Sequence, residues 1–235
     1  MNKYQKIILC FIIGILFSFL RFVFPTQTLP YQIIPMTWEI ALLFFTPWTT
    51  AEALVKNQLC TTAINGSYFE YDQEGNFLPA GIWEINGEKA YHTERKENDV
   101  NLTNTIYFQK SPFEVTFYFD QQPTESEKKE KETWIFFNAG PRLLKDSSIN
   151  EQLKTGLSHR SYPTQRTVIA KKESQTFLLL FKEKTTLMEV AQELKRQNFE
   201  SAINLDGGPS TSFASSKMHE QFNEKKVLPI FFCIK

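Results

Sequence analysis

The sequence predicts an α+β protein: a mixed or antiparallel sheet core with a few packed helices, in a single domain behind an N-terminal hydrophobic anchor. Three features of the sequence predict it. Apolar runs of strand length recur along the chain and are divided by turn signals such as Asn-Gly. One segment near residue 190 keeps helical spacing behind a capping signature. A basic start and an unbroken apolar stretch stand apart from everything that follows. The implied boundaries are 1–25 for a signal anchor or uncleaved signal peptide, 26–46 for a linker and first strand, and 47–235 for the domain.

The elements follow in order. Residues 7–20, "IILCFIIGILFSFL", come after Lys3 and Lys6 and lack a small-x-small cleavage pattern. A basic n-region before an apolar run reads as an export signal, retained here as an anchor, with the body outside the cytoplasm. The run is short for a full span, and a buried core helix is the competing reading. "WEIALLFF" is a strand. "TPWTTAEALVKNQ" is a helix entered at Pro47, with Ala51, Leu54 and Val55 on one face. "LCTTAI" is a strand that ends at Asn65-Gly66, and Asn86-Gly87 closes a two-residue hairpin of type I′. "PFEVTFYFD" and "TWIFFNAG" are strands; the charge run 121–132 between them is a solvated loop. Residues 145–165 are polar and turn-rich. "RTVIAKKESQTFLLLFKEK" is a hairpin turning at "KKESQ". "TTLMEVAQELKRQN" is the clearest helix, with Thr186 and Glu189 as a capping box. "FESAINL" and "VLPIFFCIK" are the closing strands.

Composition narrows the function classes. Lys plus Arg equals Asp plus Glu at 26 each, so charge gives no support to nucleic-acid binding. Cys60 and Cys233 both sit in strand-like runs; they form either a disulfide or two buried thiols. No Cys/His spacing suggests zinc.

The chemistry concentrates in "LDGGPST". Gly207 and Gly208 permit positive φ and close backbone approach. Successive amides on such a path form a concave anion site, to which Ser210 and Thr211 add hydroxyls. Asp206, at the mouth of a strand, is placed to act as acid or base. The alternative is an ordinary tight turn in which Asp206 caps backbone amides. Three other strand ends carry polar punctuation: "INGSYFE", "FNAGPRLL" and "QRTVIA". His92, His159 and His219 lie in polar stretches and read as surface residues, with His159 and Arg160 near a cleft rim as the alternative. Trp83 and Tyr68 either stack on a sugar or pack in the core.

Taken in order from about residue 47, these segments resemble the phosphodiester glycosidase family; "TTLMEVAQELKRQNFESAINLDGGPST" is the most specific match. The resemblance implies a cleft with Asp206, Arg166, Asn65 and Glu70 as catalytic residues. It implies that Gly66, Thr167, Gly207, Gly208, Ser210, Thr211, Gly140 and Arg142 bind substrate. Asn65 would bond substrate or a catalytic partner, and Arg166, supported by Thr167, would hold a phosphate in bidentate geometry. Arg142 is a second phosphate contact or a solvated arginine. Glu70 stands where many relatives have Asp, and Ser67 and Pro209 replace frequent glycines; Pro209 removes an amide donor from the anion site.

The implied activity is hydrolysis of a glycosyl-1-phosphate type bond in an envelope or exported glycan. The alternative is non-catalytic binding of a phosphorylated or acidic glycan, as an accessory of exopolysaccharide or cell-envelope metabolism. No full metal-ligand set is visible in the sequence, although Asp206 with Asn65 or Glu70 offers oxygens to a calcium or magnesium ion. The expected partners are a phosphorylated glycan substrate and, through the N-terminal segment, the membrane.

Overall fold

Period-two alternation lets single strands serve two cores at once. The computed structural model describes residues 31–36, 40–71, 73–75, 77–86, 88–92, 104–110, 115–120, 133–153 and 162–235. The expected anchor, the charge run 121–132, His159 and Arg160 lie outside them. Residues Tyr31–Lys235 form one compact unit.

A six-stranded sheet has the order Gln32–Pro35, Gln175–Thr185, Thr164–Lys172, Ser201–Asn204, Arg142–Lys145, Ser148–Ile149. A five-stranded sheet runs Glu88–His92, Ile82–Ile85, Thr133–Ala139, Asn104–Lys110, Val115–Phe119. A second five-stranded sheet runs Glu220–Phe222, Phe213–Ser215, Thr62–Asn65, Val227–Ile234, Ile40–Thr50. Phe69–Tyr71 and Phe77–Pro79 form a separate ribbon.

Residues from all three sheets build the central core, with Trp83, Phe108, Phe137, Ile169, Leu178, Ile203, Phe213 and Phe232 among them. Trp83 stacks on Phe137 with ring centroids 4.7 Å apart and serves packing. Val168, Ala170, Leu179 and Phe181 point to the opposite face of the six-stranded sheet. There the helix Leu187–Arg196 covers them with Leu187, Val190, Ala191 and Leu194. The capping box at its start is present in both directions, between Thr186 and Glu189. The second five-stranded sheet repeats the device: Ala63, Phe231 and Cys233 face the helix Ala51–Lys56, while Ile64 and Phe232 face the central core.

The expected hairpins form. Ile85 pairs with Glu88 across a turn in which Asn86 has φ +53°, and Lys172 pairs with Gln175 across Glu173 at φ +55°. Two expectations are corrected, and the choice between mixed and antiparallel sheets is settled. The protein is mostly β, because only two α-helices occur among the described residues and one has six residues. Every strand pairing among those residues is antiparallel, so the sheets are not mixed. The segment from Pro47 to Thr50 is strand, not helix, so the strand Ile40–Thr50 crosses the expected 46/47 boundary. Proline is tolerated there because this is an edge strand and the register shifts beside it, with Phe44 opposite Ile230 and Thr49 opposite Leu228. The helix begins only where the Thr50 side chain accepts from the Ala53 amide at 3.0 Å.

Cys60 and Cys233 are disulfide-bonded, which resolves the open alternative and ties together positions 173 residues apart. Long loops lose the most chain entropy when closed, so reduction should lower unfolding stability by about 2–5 kcal/mol. Denaturant melts with and without reductant, or of Cys60→Ser with Cys233→Ser, measure this. Gly66 is required by close approach: a Cβ there would lie 2.5 Å from Ile230 Cγ2. Gly66→Ala should therefore cost about 1–3 kcal/mol in the same assay, because the branched Ile230 has little room to yield.

Candidate functional site

The strand Ser201–Asn204 delivers Asp206 to one end of the six-stranded sheet, where a short 3-10 turn, Gly208–Ser210, follows. The Asp206 carboxylate accepts from the Gly207 amide at 2.8 Å and from the Ser210 hydroxyl. Its outer edge is partly open to solvent, yet protein surrounds most of the group. Burial pushes its pKa up to about 7, against the opposing pull of those two hydrogen bonds and of the Lys226 charge. Near neutral pH the carboxyl is therefore shared between acid and base forms.

Asn65 holds this turn. Its Nδ2 donates to the Asp206 carbonyl at 2.7 Å, while its Oδ1 accepts from Thr167 Oγ1 at 2.7 Å and from the Ser212 amide at 3.1 Å. Of the two roles expected of Asn65, the structure displays the bond to a catalytic candidate. Thr167 is buried and bonded to Asn65, so its support passes to Asn65 and not to Arg166.

Arg166 lies on the neighbouring strand. A Cβ on Gly207 would stand 3.8 Å from Arg166 Cδ and 2.9 Å from the Gln165 carbonyl, so glycine lets the turn lie directly on the arginine stem. The side chain is only 6 % exposed. Its Nε donates to the Thr185 carbonyl at 3.2 Å and its Nη2 to the Tyr162 carbonyl at 2.9 Å. Burial lowers its pKa and the nearby Tyr68 raises it. Among the described residues no carboxylate forms an ion pair with it, although burying an unpaired cation is costly.

Several expectations change. The anion site of successive amides is largely occupied by the turn itself. The Gly207 amide serves Asp206, Ser210 N donates to Gly207 O at 3.2 Å, and Thr211 N donates to Gly208 O at 3.1 Å. Pro209 has no N–H, which leaves the Gly208 amide as the remaining donor of the turn. Gly208 has φ +59°, the left-handed conformation that favours glycine. Thr211 is fully buried, and its hydroxyl has no partner among the described residues. Arg142 is buried and ion-paired with Asp120; both line a cavity of about 270 Å³ with Lys145, Lys171 and Glu200, away from the Asp206 turn. Glu70 is exposed on the small ribbon, and no described contact joins it to Asp206. Gly66 packs against Ile230. Gly140 bonds the strand before Asp206, its amide donating to the Asn204 carbonyl at 3.1 Å.

Sequence reasoning missed Asn204, whose Nδ2 donates to the Tyr68 hydroxyl at 2.6 Å, and the hydroxyl in turn donates to the Gly140 carbonyl at 2.7 Å. It also missed Lys226, one of two adjacent lysines in a polar turn with no distinguishing local signal. His219 is exposed, as expected, while the side chain of His92 lies outside the described features. Among the described residues no group of His, Cys, Asp or Glu converges as a metal site, and the Asn65 carboxamide oxygen is already engaged.

No protein of curated function matches the sequence. Solved structures share the fold at low identity. The zebrafish N-acetylglucosamine-1-phosphodiester alpha-N-acetylglucosaminidase catalytic domain, auto-inhibited by its pro-peptide, is 16% identical with a TM-score of 0.58, over 90% of this chain and 85% of that one. A protein from Burkholderia pseudomallei K96243 is 9% identical with a TM-score of 0.59, over 87% and 73%. A hypothetical protein from Synechocystis is 13% identical with a TM-score of 0.50, over 87% and 59%. The family model for phosphodiester glycosidase matches residues 58–231, a span that holds Asn65, Arg166, Asp206 and the strands presenting them, and the chain belongs to that family.

Proposed function

We propose that this protein hydrolyses a sugar-phosphodiester bond of the glycosyl-1-phosphate type in an exported or envelope glycan. The observation that carries this reading is a buried, carboxylate-free arginine whose stem packs against the turn of a carboxyl that titrates near neutrality. The zebrafish relative is named for an activity on such a phosphodiester, and family membership supports the same reaction class.

Arg166 has five N–H donors and spends two on carbonyls. The remainder suit the paired oxygens of a phosphate. Asp206, as carboxylate, accepts a proton from water while the water oxygen attacks the anomeric carbon. The bond from that carbon to the phosphate oxygen breaks, and its electron pair leaves with the phosphate. A phosphomonoester and a free sugar result. Phosphate leaves readily, so one carboxylate suffices, consistent with an exposed Glu70 that no described contact joins to Asp206. Asn65 acts by positioning Asp206.

The disulfide suits an oxidising compartment, and a body held outside the cytoplasm by residues 7–20 is part of this proposal. Among the described residues no helix is long and apolar enough to cross a membrane. A glycan-binding protein without turnover is the second reading, favoured by the presence of one carboxylate where most glycosidases use two.

Release of sugar from a chromogenic sugar phosphodiester tests the proposal. Asp206→Asn should lower kcat by about 10²–10⁴-fold. Arg166→Lys should lower kcat/KM by about 10–100-fold, through loss of the planar fork. Saturable binding with no turnover by the unmodified protein supports the second reading, and unchanged activity in both variants removes the mechanism. Because the base must be ionised, kcat/KM should rise about tenfold per pH unit below pH 7 and level off above it. The stability effect has the opposite sign. The folded state holds the Asp206 proton more tightly than the unfolded chain, so that stabilisation is present at acid pH and is lost as pH rises from 3.8 to about 7. Asp206→Asn should leave the melting temperature at pH 8 unchanged or raised, so its loss of activity is separable from unfolding.

A further inference from the structure

We infer that the cavity beside Arg142 is a second binding site, one that takes a single negatively charged sugar residue. It shares no residue with the Asp206 site, and it does not depend on the hydrolytic reading.

The cavity, of about 270 Å³, is lined from the six-stranded sheet on one side and from the edge strand Val115–Phe119 on the other. Strand alternation explains which side chains reach it. Ala170, Ala202 and Leu144 face the helix Leu187–Arg196. Their neighbours Lys171, Ser201 and Lys145 therefore face the opposite way, and all three line the cavity. Lys171 pairs with Ser201, and Leu144 with Ala202, so the three stand side by side on adjacent strands. The two lysines flank the serine, each one strand spacing away, about 5 Å. Asp206 lies beyond the other end of the strand that Ser201 opens.

Arg142 is the buried member of the polar lining. Its Nε donates to the Leu144 carbonyl at 3.0 Å, and its Nη1 meets the Asp120 carboxylate. Asp120 is held in turn by the Thr105 amide at 2.8 Å and by Asn104 Nδ2 at 2.9 Å. These bonds fix the guanidinium, while Nη2 makes none among the described residues and keeps its N–H groups for a ligand.

The charges select the ligand. Asp120 offsets Arg142, but neither Lys145 nor Lys171 has an ion pair among the described residues. Two such ammonium groups about a serine hydroxyl suit one anionic group. The lining is not uniformly basic, because Asp146 and Glu200 belong to it. Ionised carboxylates only accept hydrogen bonds, so they repel a polyanion and favour hydroxyl donors. A sugar with one acidic group meets both demands: the acid lies at the lysines and the hydroxyls donate to the carboxylates. The volume fits as well. It approaches the lower end of small-ligand pockets, about 300 Å³, and exceeds what one inorganic anion fills. Phe117 and Phe119 add an apolar wall for the C–H face of a sugar ring.

Calorimetric titration of the intact protein with glucuronate, glucose-6-phosphate, glucose and inorganic phosphate tests the site. At least one acidic sugar should bind with a Kd of about 1 mM or below, and the tighter of the two identifies the acid as carboxylate or phosphate. Glucose and inorganic phosphate should each bind at least about tenfold more weakly. Lys145→Ala combined with Lys171→Ala should weaken the tighter sugar by about tenfold or more, and the corresponding double arginine variant should recover most of the loss. Arg166→Lys should leave this affinity unchanged, which separates the cavity from the Asp206 site. Melting temperatures should match across the set, because the lysine side chains have no ion pair to lose. Absence of binding by both acidic sugars overturns the inference. So does equal binding of glucose or of inorganic phosphate, full affinity in the double alanine variant, or its loss in Arg166→Lys.

Discussion

A single buried carboxamide fixes where the site can be. Asn65 sits at the end of a strand in one sheet, yet its side chain reaches Thr167 in another sheet and both ends of the turn that carries Asp206. The bonds to Thr167 and Ser212 are buried and the one to Asp206 is partly so; an unmet buried donor or acceptor costs about 1–3 kcal/mol. The amide therefore tolerates little displacement of any partner. Asn65 also donates its own backbone N–H to the Ser212 carbonyl at 3.0 Å, so the strand and the turn are locked on two counts.

That lock depends on close packing at the glycines. Gly66 lets the chain just after Asn65 lie flush against Ile230, and Gly207 lets the turn lie on the Arg166 stem. Neither use is the anion cradle that paired glycines suggest. In this protein the turn spends most of its amides on itself and on the Asp206 carboxylate. The charge that lies against the turn is the buried arginine, whose stem Gly207 covers.

The same economy explains two arginines of unlike fate. Arg142 and Arg166 are both buried on adjoining parts of one sheet, but Arg142 has Asp120 and Arg166 has only carbonyls. A satisfied ion pair contributes structure. A guanidinium paired with neutral acceptors keeps its charge uncompensated, and that charge is what an anionic ligand would relieve.

Local patterning by itself determined the hairpins, the capping box at Thr186 and Glu189, and the order of the motif-bearing strand ends, because each depends on neighbours within a few residues. The grouping of Asn65, Arg166 and Asp206 came from the family resemblance of those strand ends, not from local patterning. Tertiary structure decided the rest. The strand through Pro47 exists because an edge and a register shift accept proline, facts that no local window contains. Glu70 and Arg142 left the site because a ribbon and an acid 22 residues away claimed them. Asn223 braces the end of the Asp206 segment because a turn more than ten residues downstream folds back onto Thr211 and Ser212. Contacts across such separations are fixed by packing and loop closure, and neither is encoded in the residues adjacent to the side chain concerned.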